Sequence, residues 1–500
     1  MDVLSSPATA TPNDAALAAE RRWLLALLLL AIAVRVATLG AYPLMDNTEA
    51  RYAEIARKMV ETGDWVMPQF EYGVPFWSKP PLSIWLTSLS YVALGVSEFS
   101  ARLPSLLTCL VAAWLTYRMG LQRGGAAFAL RAALVLVTSA LFFISAGAVM
   151  TDPALLAGTT LSMIGFWKAM QRSDRGGRLW GYAFFVGLAI SLLAKGPVGV
   201  VLTLGPIGLW TLWKGGVRTV WQRLPWVSGF VLTFVLAVPW YLLAEERTPG
   251  FLDYFLVGEH WRRYTESGWK GDRFGTAHAT ARGMIWPLAV AATLPWSLPW
   301  FVLLWRLRRS APQPAAMPDA SWRAYLWLWM LVPPIFFTFA GNILFTYVLP
   351  GLPAFALLVA EAWTSAGTGK RWDAALKLAA LWLPIGVALA IVFAGPRFAP
   401  MYSQKALVAA YVAARANDAQ QLVYYNEVPK SAAFYARGRP VLAASPEELQ
   451  RHFAERRGDF YALTQNQLSE FHEISAQLTK RGRFGRYSLL QDARPLAPAP

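Results

Sequence analysis

The chain has 500 residues, of which 56% are hydrophobic and only 15% charged, and it contains 24 tryptophans. An ordinary soluble enzyme of this length is not so apolar, and the class indicated is a polytopic membrane protein. A formal net charge of +16 could suggest nucleic acid, but the Lys and Arg residues fall in short clusters between apolar runs, as in cytoplasmic loops, which excludes it.

Apolar runs of about 16–20 residues recur, each about long enough to cross a bilayer as a helix. Cys109, the one cysteine, lies in such a run, so no intramolecular disulfide can form. Residues 1–20, rich in Ala, Ser, Thr and Pro, are expected to be a short disordered cytoplasmic tail. Arg21 and Arg22 precede the run 23–42, which reads as an uncleaved first span because Arg35 interrupts it and many spans follow. These arginines put the amino end inside and Asp46 outside.

Five basic loops should be cytoplasmic: Arg118/Arg123/Arg131, Lys168/Arg172/Arg175/Arg178, Lys214/Arg218/Arg223, Arg306/Arg308/Arg309/Arg323 and Lys370/Arg371/Lys377. For that, 81–96 must be a helix on the outer membrane surface and 103–119 the second span. Later spans fall near 131–149, 153–170, 180–194, 196–213, 225–244, 283–305, 324–341, 345–363 and 376–394. The count is about eleven, which leaves the carboxyl end outside. Strands at 423–425 and 440–442 and a helix at 446–456 make the remainder a small α/β module, and residues from 487 on should fray. The expected fold is an all-α polytopic membrane domain of about 11–13 transmembrane helices with a small α/β periplasmic domain. Its boundaries are 21–395 for the membrane domain, including the first outer loop 43–102, then 396–490, with 491–500 a disordered tail.

This topology gathers polar residues on one side: Asp46, Glu49, Arg51, Tyr52 and Lys79 from the first outer loop, Asp152 ending the third span, Lys195 following the fifth, Glu259, His260 and Arg262 in the loop 245–282, and Tyr347 opening the tenth. Residues 47–62 read as an amphipathic helix with Thr48, Arg51, Tyr52 and Ile55 on one face. Asp46-Asn47-Thr48-Glu49 also has the form of a capping box, and Asp152-Pro153 that of an N-cap followed by a first-turn proline. Lys79 before Pro80-Pro81 suits a lipid phosphate, or a lysine snorkelling to the headgroups. Four histidines with no metal-binding spacing give zinc little support.

At Asp46–Arg57, Gly63-Asp64-Trp65-Val66-Met67-Pro68, Lys79-Pro80-Pro81-Leu82 and Ala101-Arg102-Leu103-Pro104-Ser105 the chain resembles polyprenyl-phosphate-dependent GT-C glycosyltransferases, the aminoarabinose transferases of lipid A and the protein O-mannosyltransferases. The resemblance implies a bacterial inner-membrane enzyme that moves a sugar from undecaprenyl phosphate to a periplasmic acceptor such as lipid A, lipopolysaccharide, another glycan or a protein, inverting the anomeric centre. It implies donor-phosphate contacts from Arg51, Tyr52, Lys79, Lys195 and Tyr347, catalytic carboxylates among Glu49, Asp46 and Asp152, and acceptor or loop contacts from Glu259, His260 and Arg262. His260 resembles a loop histidine that can contribute to a divalent metal site. Two positions depart from the pattern: Thr48-Glu49 stands where the family commonly has Asp-Glu, and Ser78 where the aminoarabinose enzymes often have Glu. The rival readings are a polyprenyl-lipid transporter or flippase, for which central charges and paired repeats are expected, and a non-catalytic lipid-binding subunit.

Overall fold

A computed structural model describes residues 12–46, 48–214, 216–275, 278–309, 320–366 and 369–495. Its first half runs through α1 (Pro12–Thr38), α2 (Thr48–Thr62), the strands β1 (Gln69–Glu71) and β2 (Val74–Pro75), α3 (Leu82–Leu94), α4 (Glu98–Val137), α5 (Ala140–Ser145), α6 (Asp152–Gln171), α7 (Arg175–Lys195), α8 (Pro197–Lys214), α9 (Val217–Arg223) and α10 (Trp226–Arg247). The start of α1 at Pro12 corrects the expected tail, because residues 12–20 are helical; 1–11 lie outside the described residues. With 13 residues, α3 is about 20 Å long, too short for a hydrocarbon layer of about 30 Å.

At 40 residues α4 is about twice the length a bilayer needs. Gly124 and Gly125 interrupt it, Gly125 at φ 74°, a conformation open to glycine and costly for other residues. One apolar run thereby becomes two segments, where two spans were expected. Among the described residues five helices are long and apolar enough to cross a membrane, or six if Ile285–Ala292 and Ser297–Arg306, bent by 91°, form one span. The expected count of about eleven thus exceeds the helices that qualify alone. Four more, α1, α6, α8 and Ala320–Thr338, have span length at 27, 20, 18 and 19 residues. Arg21, Arg22 and Arg35 interrupt α1, and α6, buried along most of its length, holds Asp152 and Lys168. A helix covered by its neighbours needs no lipid-facing surface.

The antiparallel pair α6 and α7 fixes the geometry of the polar face. A Cβ on Gly158 would lie 2.6 Å from Ser191 Oγ and 2.9 Å from the Gly187 carbonyl, and one on Gly165 would lie 2.8 Å from Phe184 N. Missing side chains let the two backbones approach, the usual basis of close helix contact in membranes. Because a short connection joins them, the first residue of α6, Asp152, meets the last of α7, Lys195.

Beyond the final span, Lys370–Tyr402, lies a five-stranded sheet. Its strands are β3 (Leu422–Tyr425), β4 (Val441–Ala443), β5 (Phe460–Thr464), β6 (Leu478–Phe484) and β7 (Tyr487–Asp492), in the order β4-β3-β5-β7-β6. Strands β4, β3 and β5 are parallel, and β7 is antiparallel to both β5 and β6. The frayed end expected from 487 is corrected here: β7 is an interior strand with Tyr487, Leu489 and Leu490 buried, and residues 496–500 lie outside the described set. This module is clamped to the first loop. Ser431 N donates to Asp46 Oδ1 at 2.8 Å, Leu44 N to Tyr435 Oη at 2.8 Å, and Asp46 N to the Tyr402 carbonyl at 2.7 Å. Lys405 pairs with Glu98 at 2.5 Å and Lys430 with Glu71 at 3.5 Å.

Candidate active site

Asp152 and Lys195 form the centre, with Lys195 Nζ 2.5 Å from Asp152 Oδ1 and 4.9 Å from the centroid of the Tyr347 ring. Asp152 is therefore not the N-cap that Asp152-Pro153 suggests: it sits in the first turn of α6 after Thr151 and gives its carboxylate to a lysine instead of its own helix amides. An ammonium has three protons, and the described contacts of Lys195 use one. Tyr347 stacks on Phe337 with centroids 4.2 Å apart, and it opens a 3-10 turn, Phe345–Gly351, that leads into the helix Leu352–Ser365.

Beside this pair Lys79 donates to Glu259 Oε2 at 2.8 Å, the Ser78 carbonyl at 2.7 Å and Ser78 Oγ at 2.9 Å. All three of its protons are engaged, so Lys79 has no spare donor for a phosphate. Glu259 also takes Arg263 Nη1 at 3.1 Å on each oxygen, and Arg263 reaches Asp272 Oδ2 at 3.1 Å. Burial pushes the Glu259 carboxyl up, but Lys79 and Arg263 outweigh it and hold the pKa at about 2. Burial draws Lys79 below its ordinary value, with Glu259 opposing. Expected as an acceptor or loop contact, Glu259 is instead a buried hub inside a cationic cage, and the arginine in that cage is Arg263; Arg262 is exposed. The loop expected over 245–282 contains a π-helix, Asp253–Arg262, and Arg263, directly after it and four residues beyond Glu259, reaches the Glu259 carboxylate.

Arg51 lies in the same neighbourhood. Its Nη1 donates to the Phe274 carbonyl and its guanidinium lies 5.3 Å from the Tyr52 ring, while Nε is buried without a partner. Such an orphaned donor invites an acceptor from a ligand. Burial raises the Tyr52 pKa, and Arg51, Asp152, Lys195 and Glu259 all lie within electrostatic reach of it. Four cations (Arg51, Lys79, Lys195 and Arg263) meet three carboxylates (Asp152, Glu259 and Asp272), which leaves one positive charge for an anion.

The other two carboxylates have structural partners. Glu49 takes Arg102 through both oxygens, at 2.7 and 2.9 Å, and also accepts Met45 N at 3.1 Å and Val149 N at 3.3 Å. Arg102, fully buried, spends its remaining donors on the carbonyls of Leu39, Tyr42 and Pro43 at 2.6–3.0 Å. With about four lone-pair sites filled, Glu49 has no free position for a substrate proton. Asp46 is held by Ser431, and burial raises its pKa. Neither forms the capping box that the sequence suggests, since Glu49 reaches back to Met45 N and Asp46 caps the helix of another domain. Thr48 is exposed at the start of α2. Arg102 and Arg263 were missed as site residues: Arg102 lies in the Ala101–Ser105 motif and Arg263 next to Arg262, but their partners are distant in sequence or one helical turn away on an unforeseen helix.

His260 is not placed as a metal ligand. Its Nδ1 lies 2.7 Å from the Phe255 carbonyl and Nε2 3.2 Å from the Lys195 carbonyl, and burial lowers its pKa, favouring the neutral ring. Among the described residues no three His, Cys, Asp or Glu side chains converge on a metal position. With Ser78 and Lys79 filling the space beside Glu259, this donor set does not fit a divalent ion.

The chain thus combines a membrane helical domain, a buried ionic cluster and an appended α/β sheet. Residues 21–255 match the family model described as dolichyl-phosphate-mannose-protein mannosyltransferase. The chain is 30% identical over 354 residues to an undecaprenyl phosphate-alpha-4-amino-4-deoxy-L-arabinose arabinosyl transferase of Pseudomonas fluorescens, covering 69% of this chain and 58% of that one. It is 29% identical over 361 residues to the transferase of the same name from Erwinia tasmaniensis, covering 70% and 60%. It therefore spans less than two thirds of these relatives' length. In fold it is similar to ArnT from Cupriavidus metallidurans bound to undecaprenyl phosphate, with TM-score 0.77, 19% identity and 96% and 99% of the two chains covered. The apo form of that protein gives 0.74 with 94% and 98% covered. In sequence the chain is thus similar to aminoarabinose transferases and, over residues 21–255, to protein mannosyltransferases, and in fold to ArnT.

Proposed function

We propose that this multi-pass protein transfers a sugar from a polyprenyl phosphate, in bacteria undecaprenyl phosphate, to an envelope acceptor such as lipid A or another glycan at the periplasmic face of the inner membrane. The observation that carries this reading is the Asp152–Lys195 pair under Tyr347, beside the orphaned Arg51 Nε. The donor phosphate would take Arg51 Nε and the two free protons of Lys195. The acceptor oxygen attacks the anomeric carbon from the opposite side, the bond from that carbon to the phosphate oxygen breaks, and the configuration inverts. The departing phosphate gains a negative charge, which fixed cations stabilise more strongly than they did in the donor. For a hydroxyl acceptor Asp152 takes the proton, released from Lys195 as that lysine turns to the phosphate. Lys79 holds Glu259, Arg263 and Ser78 around the pocket, so it is a positioning residue.

The filled coordination of Glu49 and exposed Thr48 favour a second reading, a lipid-binding subunit without catalysis. Mass spectrometry of envelope lipids, glycans and proteins from cells with and without the chain separates the two. Loss of one sugar, restored by the wild type but lowered about 10²–10³-fold in turnover by Lys195→Met or Asp152→Asn, supports transfer. An unchanged glycan profile rejects it and leaves lipid binding.

A further inference from the structure

The final span and the sheet meet in a feature that the pocket does not use. Phe398, Met401 and Tyr402, 49%, 55% and 57% exposed, end the span, and the turn between β6 and β7 packs on Pro400 and Met401. Gly485 forms that turn at φ 57°, and the Pro400 carbonyl fills the place of its missing side chain. Between them opens a cleft of about 640 Å³ lined by Met401, Tyr402, Arg483, Gly485 and Arg486. Exposed Arg397 lies on its helical side, and exposed Lys480 and Arg481 continue the charge along β6.

Cations on an edge strand with a bulge, as β6 has between Lys480 and Gly482, are by themselves a defence against strand pairing. Edge protection does not account for Arg486 in the turn, or for an apolar floor ending at the membrane. Arg481 is held by Gln491 at 2.7 Å, Asp46 lies within electrostatic reach of Arg486, and the Arg486 guanidinium lies 5.1 Å from the centroid of the Tyr487 ring. Arg483 makes only a 3.4 Å contact to the Gly485 carbonyl, so its guanidinium is available. We propose that this cleft seats the phosphate headgroup of a membrane lipid, the acceptor under the reading above, with Arg483 and Arg486 on the phosphate and the first methylenes against Met401 and Tyr402. A planar guanidinium pair matches a phosphate bidentately as lysines do not, and acyl chains starting at the end of a span remain in the bilayer. Tyr402 gives its carbonyl to Asp46 N, so the cleft adjoins the loop that leads into α2 and the pocket.

The test uses the full chain in phosphatidylcholine nanodiscs doped with a phosphatidic acid bearing a photoactivatable headgroup, with labelled peptides mapped by mass spectrometry. Label should fall on 397–402 and 481–487, and Arg483→Glu with Arg486→Glu should lower it about tenfold or more while label on the Trp226–Arg247 span is unchanged. Arg483→Ala with Arg486→Ala, a smaller perturbation of the fold, should give an intermediate loss. Equal labelling of the wild type and both variants, or equal labelling by a phosphatidylcholine probe, overturns the site. No sugar transfer enters this readout: a labelled cleft on an inactive protein rejects the transferase, and an active transferase with an unlabelled cleft rejects the site.

Discussion

Glu259 is ionised inside the protein because Lys79, Arg263 and Ser78 surround it, and that dependence sets a sign. Its pKa falls from an ordinary 4.5 to about 2 in the folded chain, so its contribution is complete above about pH 4.5 and is lost as pH falls toward about 2. The shift corresponds to about 3 kcal/mol. Thermal unfolding in micelles should show stability declining through that window in the wild type, with a shallower decline in Glu259→Gln. Identical slopes would mean that the carboxylate does not hold its charge in the fold. At this scale the sequence named most of the residues and misjudged several partners. Lys79 and Lys195 both read as phosphate ligands because a sequence gives charge, not the number of unspent protons. Ser78 and Glu259, 181 residues apart, take all three protons of Lys79, whereas the described contacts of Lys195 take one. Arg102 was quoted as part of a motif, but its role depends on Glu49 and three carbonyls contributed by the end of α1 and the loop after it.

Between α6 and α7 the active geometry depends on what is absent. A Cβ at Gly165 would lie 2.8 Å from Phe184 N and 2.9 Å from the Trp180 carbonyl, whereas one at Gly208 in α8 would meet nothing within 4 Å. Gly165→Ala should therefore separate the helices, cost about 1–3 kcal/mol and weaken donor binding, although the site is about 20 Å away along α6. Gly208→Ala should be neutral or stabilising by up to about 1 kcal/mol. Thermal midpoints and donor affinity of the two variants check this, and equal effects would remove the close-packing account. Apolar run length located both elements in the sequence, yet it could not reveal their contact, because glycine, serine and threonine carry little hydropathy. The same blindness hid the π-helix, since a segment of Glu, His, Trp and Arg has neither strand alternation nor an apolar stripe, and it hid β7 behind a tail rich in Pro and Ala.

Topology joins these local arrangements to the proposed lipid reaction. The 20 and 21 residues of α6 and α7 give each a length of about 30 Å, so Ser173 between them lies a membrane's thickness from Asp152 and Lys195. The basic loops predict Ser173 inside, and the clamp of Ser431 on Asp46 puts the sheet beside the first loop. Composition alone made the membrane class legible, because no soluble fold absorbs so much apolar surface; it overcounted the self-sufficient spans because helices such as α6 are shielded by protein. Cysteine labelling can read the arrangement cleanly, since Cys109 is fully buried. Val74→Cys, at a site 44% exposed, and Glu473→Cys, on the exposed side of the sheet domain, should both react with an impermeant thiol reagent in cells with a permeabilised outer membrane. Ser173→Cys should react only after the inner membrane is opened. Reaction of Ser173→Cys and Val74→Cys from the same side would place Asp152 and the first loop in different leaflets, and no single polyprenyl phosphate could then reach both Arg51 and Lys195.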